Sequence, residues 1–109
     1  MTVSQLCKEC GFEIVNLEED REITGGVYCC DLLSFVMGRA PADGVWFTVM
    51  GNLNAVAVAS LSDVACVVLC EGIPMDEPGL AKAKEQGINI CRVSMPVFEA
   101  ALKAHQLLQ

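Results

Sequence analysis

Two stretches of nearly unbroken apolar character, Val45 to Met50 and Ala65 to Cys70, frame this chain. A strand with one wet face alternates apolar and polar residues, whereas a strand covered on both faces is apolar throughout. Both runs therefore predict central strands with helices above and below. Between them lie a turn at Gly51-Asn52 and a helix from Asn54 to Leu61, whose Ala55, Val56, Ala57, Val58, Ala59 and Ser60 are small enough to sit close to a sheet. A strand, helix, strand unit of this kind implies a parallel pair.

Weaker periodicities fill in the rest. Val3, Leu6, Cys7 and Cys10 fall at i, i+3, i+4 and i+7 and predict a short first helix, capped by Thr2 or Ser4 and ended by Gly11. Phe12 to Asn16 reads as a strand, and Leu17 to Glu22 as a charged connector leading into Ile23-Thr24-Gly25-Gly26. Val27 to Cys29 is a brief extended piece, Leu32, Leu33, Val36 and Met37 share one helical stripe, and Gly38 to Gly44 is a loop. Asp76 and Pro78 supply the cap and first-turn proline of a helix with Leu80 and Ala83 inward, ended by Gly87. Ile88 to Val93 alternates more than the central runs, which predicts a strand nearer the sheet edge. The last helix starts at Ser94 and Pro96 and carries Phe98, Ala101, Leu102, His105 and Leu108 on its inner stripe. The alternation of strands and helices predicts an α/β fold, a three-layer α/β/α sandwich with a mostly parallel central sheet, in one domain covering residues 1 to 109.

Composition changes this picture in three places. An apolar fraction of 53% raises the question of a membrane span, yet Gly51, Asn52, Asn54, Ser62 and Asp63 interrupt the best apolar window. The excess is better explained by a sheet buried on both faces and by an oligomer interface, with a dimer favoured. A net charge of −7 with only seven lysines and arginines argues against nucleic acid. The opening MTVSQLCKEC lacks the basic segment and apolar core of an export signal, so the expected location is cytoplasmic and the seven cysteines are expected to be reduced thiols.

Candidate chemistry is sparse. Ligands of parallel sheets bind at the carboxyl ends of strands, here Met50 to Asn54, Glu71 to Pro74, and Val93 to Ser94. Asn52 and Asn54 either orient a polar ligand there or cap the following helix. Thr24, Gly25 and Gly26, with Arg21 nearby, either form a small anion pocket from backbone N–H groups and a guanidinium or make a left-handed turn fixed by Asp20 and Arg21. The glycine pair is not followed by the lysine of a P-loop and lacks dinucleotide-fingerprint spacing. Cys7 and Cys10 form a CxxC, but a thioredoxin-type pair belongs at the amino end of a helix that follows a strand. They read as buried thiols or, together with Cys29 and Cys30, as a set for a metal or iron-sulfur cluster. His105 is the only histidine and has no nucleophile and acid patterned beside it. No catalytic residue and no cofactor is predicted.

The blocks Asp20-Arg21-Glu22-Ile23-Thr24-Gly25-Gly26, Cys30-Asp31-Leu32-Leu33-Ser34, Val45-Trp46-Phe47-Thr48 and Asn54-Ala55-Val56-Ala57-Val58-Ala59 resemble the DRTGG domain family, in the family's order over nearly the whole chain. The resemblance implies a three-layer fold similar to the amino-terminal domains of HPr kinases and Mur ligases. Members are fused to regulatory CBS domains in certain pyrophosphatases, occur in phosphotransacetylase-related proteins, or stand alone, some beside iron-hydrogenase genes and a few with an iron-sulfur label. The resemblance implies an accessory or regulatory character, with hydrogenase-related metabolism as one setting, and the lack of a catalytic constellation and the apolar excess add the expectation of a non-enzymatic domain that self-associates and docks on a partner protein. The alternative is a small-molecule sensor that takes a nucleotide or other anion through Asn52, Asn54, Thr24 and the two glycines.

Overall fold

The computed structural model describes residues 1–109. In chain order the elements are α1 (Val3–Cys10), β1 (Glu13–Asn16), β2 (Val27–Cys29), α2 (Leu33–Arg39), β3 (Val45–Thr48), α3 (Leu53–Ser62), β4 (Cys66–Leu69), α4 (Glu77–Gln86), β5 (Ile90–Arg92) and α5 (Val97–Leu108). The strands form one sheet in the order β1-β5-β4-β3-β2. Strands β2 to β5 are parallel, and β1 runs antiparallel to β5 at one edge. The two apolar runs pair as expected, Val45 opposite Cys66 and Thr48 opposite Leu69.

Because β2, β3, β4 and β5 are neighbours in chain order, every right-handed crossover steps the same way and lays α2, α3 and α4 on one face. On that face Trp46, Val67, Leu69 and Ile90 pack against Val36, Val56, Ala59 and Ala83. Helices α1 and α5 cover the other face, where Val45, Phe47, Cys66, Val68 and Cys91 meet Val3, Leu6, Cys7, Ala100 and Ala104. Alternate residues of each parallel strand thus feed separate cores, which is why β3 and β4 are buried at every position.

Several expectations are sharpened or corrected. Strand β5 lies second from the edge, between β4 and the edge strand β1, nearer the edge than β4. The polar Asn89 that produced the alternation is buried, accepting from the Glu18 N–H at 2.9 Å and donating to the carbonyls of Glu19 at 2.6 Å and Ala65 at 3.0 Å. The inner stripe of α5 is Ala100, Ala101 and Ala104, while Phe98 is 73% and Leu102 41% exposed and His105 faces outward. Helix α5 lies against β2, β3 and α1, and alanine methyls on the contact line permit that close approach. Its N-cap is Pro96, without a side-chain hydrogen bond, so Ser94 does not cap it. In α2 only Val36 is fully buried, and Leu32 and Met37 are exposed.

Candidate functional site

The connector from β1 to β2 has to cross the whole sheet, and it does so past the amino ends of β5, β4 and β3. Asn89, just before β5, holds Glu18 and Glu19. Arg21 then reaches under β4: Nη1 donates to the Val64 carbonyl at 2.9 Å and the Asp63 carboxylate at 3.1 Å, and Nη2 donates to the Asp63 carbonyl at 3.1 Å and to the Asp43 carboxylate. Partial burial works against the charged guanidinium, but Asp43 and Asp63 more than offset it and raise its pKa above the ordinary value. The N–H groups of Thr24 and Gly25 both donate to the Asp43 carbonyl at 3.0 Å. Asp20 accepts from the Ser4 hydroxyl at 2.5 Å and the Ser4 N–H at 2.8 Å, fastening α1, and these bonds lower its carboxyl pKa.

The two glycines of the motif do different things. Gly26 takes the left-handed conformation, φ 82°. Gly25 is required by close approach instead, since a methyl group there would overlap the Ala42 carbonyl oxygen and the Gly44 nitrogen. Arg21, Thr24, Gly25 and Gly26 are thus brought together, but the Arg21 guanidinium and the two N–H groups named above are engaged by the chain itself. They also stand at the opposite pole from Asn52 and Asn54, because the motif precedes β2 while the asparagines follow β3 in a parallel sheet. The common mouth expected for all six residues is not formed.

At the carboxyl pole Asn52 caps α3, accepting from the Ala55 N–H at 2.9 Å, and Asn54 is exposed in the first turn. The loop after β4 fills the space beside them. A methyl at Gly51 would strike the Pro74 carbonyl, and the Asp76 N–H donates to the Gly51 carbonyl at 3.0 Å. Asp31, which sequence reasoning did not single out, accepts from the Thr48 hydroxyl at 2.7 Å and the Val49 N–H at 3.0 Å, tying the end of β2 to that of β3. The signal for it was Thr48, a hydroxyl closing an otherwise apolar run.

The opening at this pole lies farther along, between the ends of β4 and β5 and the start of β1. It is a cleft of about 350 Å³ lined by Gly11, Glu13, Gly72, Arg92, Val93 and Ser94. Arg92 donates to the Gly72 carbonyl from Nε at 3.2 Å and Nη2 at 2.8 Å, and its Nη1 stands 3.9 Å from the Glu13 carboxylate. One partly free guanidinium facing one carboxylate can hold a small polar ion. The cleft contains no histidine or cysteine.

A second depression, about 250 Å³, runs between α5 and β2 and is lined by Val27, Cys29, Phe98, Ala101, Leu102 and His105. Strand β2 is the sheet edge on this side and pairs only with β3. Exposed apolar side chains therefore flank backbone groups with no partner strand. Exposed Phe35 on α2 differs, since the Arg39 guanidinium covers its ring at 4.2 Å.

The cysteines divide by face. Cys7 and Cys10 are on the buried side of α1, Cys66, Cys70 and Cys91 lie in the core beneath, and Cys29 is exposed and Cys30 half-buried at the end of β2. Burial pushes up the thiols of Cys10, Cys29 and Cys70, the last to about 12. The four candidate ligands Cys7, Cys10, Cys29 and Cys30 are not gathered, and no group of three or more His, Cys, Asp or Glu side chains is placed to hold a metal ion. No helix is long and apolar enough to cross a membrane.

No protein-family profile matches the chain, and no curated protein matches it. Among solved structures it is similar to the CBS and DRTGG domains of the regulatory region of Clostridium perfringens pyrophosphatase, crystallised in complex with an activator, diadenosine tetraphosphate. The TM-score is 0.79 at 14% identity, over 96% of this chain and 46% of that one, so this chain spans less than half of its neighbour's length. At that identity the likeness establishes a shared fold, and the fold is DRTGG-like.

Proposed function

We propose that this chain is a non-enzymatic accessory or regulatory domain that forms a homodimer and docks on a partner protein through the surface made by α5 and the free edge of β2. The observation that carries this reading is the outward stripe of Phe98 and Leu102 beside Val27 on a strand with one free edge. Water is a poor environment for such a stripe, and a second polypeptide would both cover it and pair the edge. The solved neighbour, part of the regulatory region of a larger enzyme, supports the regulatory character. A cytoplasmic setting belongs to the same proposal, and the family resemblance adds hydrogenase-related metabolism as one context.

Size-exclusion chromatography with light scattering tests it. The wild type is expected to dimerise as concentration rises, and Phe98→Asp with Leu102→Asp to remain monomeric while keeping its circular dichroism. A monomer at every concentration would remove the self-association.

The Arg92 cleft favours a second reading, a sensor for a nucleotide or another anion at the strand carboxyl ends, as the neighbour's complex with a dinucleotide activator also does. Glu13 in the cleft and the net charge of −7 oppose a polyanion, which places this reading second. Binding would raise the melting temperature in AMP, ATP or diadenosine tetraphosphate, and Arg92→Ala would abolish the rise. Unchanged melting in all three contradicts it.

A further inference from the structure

Cys7 on α1 and Cys91 on β5 are 84 residues apart in sequence, yet their Sγ atoms stand 2.8 Å from each other in the core. Only 2% and 1% of these residues is exposed. Cys66 of β4 lies in the same core cluster. We propose that Cys7 and Cys91 are an oxidation site, a dithiol that a low-molecular-weight disulfide converts to an intramolecular disulfide joining the first helix to the sheet.

With α1 docked, the thiols are closed to reagents. The hydrogen bond to Cys91 together with burial raises the pKa of Cys7, and the contact with Cys66 does the same for Cys91, so neither is a ready thiolate in the closed state. Helix α1 is only eight residues long. Its inner side is held in the core by Val3, Leu6 and Cys10, and its outer side by exposed polar contacts, namely the Thr2 and Gln5 capping box, Ser4 on Asp20, and the Met1 ammonium on Glu22 at 2.8 Å. A helix of about two turns adds little stability of its own and opens without global unfolding. Opening carries Cys7 away from the sheet and restores an ordinary thiol.

The chemistry then runs in two exchanges. The Cys7 thiolate attacks one sulfur of the disulfide R–S–S–R, forms Cys7–S–S–R and releases R–S⁻, which takes up the Cys7 proton. While α1 is still open and Cys91 uncovered, the Cys91 thiolate attacks the Cys7 sulfur, the mixed disulfide breaks, the second R–S⁻ leaves with the Cys91 proton, and the helix closes over the new bond. Two protein thiols lose two electrons and two protons in total, and one external disulfide becomes two thiols.

Oxidised glutathione supplied to the full chain, followed by non-reducing peptide mapping, tests the site. The expected product is lighter than the reduced protein by two hydrogens once adducts on Cys29 and Cys30 are removed by Cys29→Ser and Cys30→Ser, with the Cys7 and Cys91 peptides cross-linked. Cys66→Ala should keep that product and Cys7→Ala or Cys91→Ala should lose it. Asp20→Asn, which loosens α1, should form it several-fold faster, and in the oxidised protein the amide exchange of α1 should slow about tenfold. A Cys66 to Cys91 link, a persistent glutathione adduct on Cys7, or a Cys7 that stays reduced even in Asp20→Asn would each overturn the proposal.

Discussion

Two arginines mark the difference between the poles of this sheet. Arg21, at the amino ends, binds two backbone carbonyls and two carboxylates and has a side chain 20% exposed. Arg92, at the carboxyl ends, binds one carbonyl, has its nearest carboxylate at 3.9 Å, and is 38% exposed. The first guanidinium holds a long connector across three strands. The second does little for the fold and opens on a cleft. In the family motif that the chain resembles, charge and paired glycines suggest ligand chemistry, but here those groups join the backbone to itself, and openings occur elsewhere.

Substitutions can break or sharpen that contrast. The largest effect is expected from Gly25→Ala, whose methyl overlaps backbone rather than a movable side chain, so that about 3 kcal/mol or more should be lost in urea unfolding. Next comes Arg21→Ala, which leaves the Asp63 and Val64 carbonyls and two carboxylates without their donor, at a cost of about 3 kcal/mol. Arg21→Lys should recover little of it, because an ammonium cannot span the same positions. Arg92→Ala, by contrast, is expected to cost less than about 1 kcal/mol. Equal losses at the two arginines would erase the distinction between structural and open poles.

Effects well below those at Gly25 and Arg21 are expected at the caps. Asn52→Ala should cost about 1 kcal/mol, the usual value of an asparagine N-cap. Asp20 has a folded pKa below its unfolded value of 3.8, so its contribution is present above that pH and is lost as the pH falls through the folded pKa. Because this carboxylate is solvent-exposed, the contribution is under about 1 kcal/mol. Asp20→Asn should lower stability above about pH 5 by that amount, flatten the acid limb correspondingly, and leave the slope above about pH 5 unchanged.

Much of the architecture was legible because uniform apolarity has few causes. Val45 to Thr48 and Cys66 to Leu69 need cover on both faces, and that need predicted both the parallel pair and the helical layers. Misreadings arose where a polar residue is buried or a small one does the packing. Asn89 makes the β5 stretch alternate although the residue is buried, because alternation cannot distinguish a wet face from a satisfied core amide. In α5, Phe98, Leu102 and His105 repeat as regularly as Ala100 and Ala104, and bulk favoured the wrong stripe. The glycine pair was legible as a turn, but its pole depends on the direction of β2, which three residues hardly announce. The meeting of Cys7 and Cys91 belongs to tertiary structure alone.

The α5 and β2 surface is best examined by hydrogen exchange at rising protein concentration, read at Val27 to Cys29 and along α5. A working interface requires protection of these amides to grow with concentration while the connector at the amino pole stays constant. Exchange at β2 and α5 that is the same at every concentration, in a protein that remains folded, would contradict it.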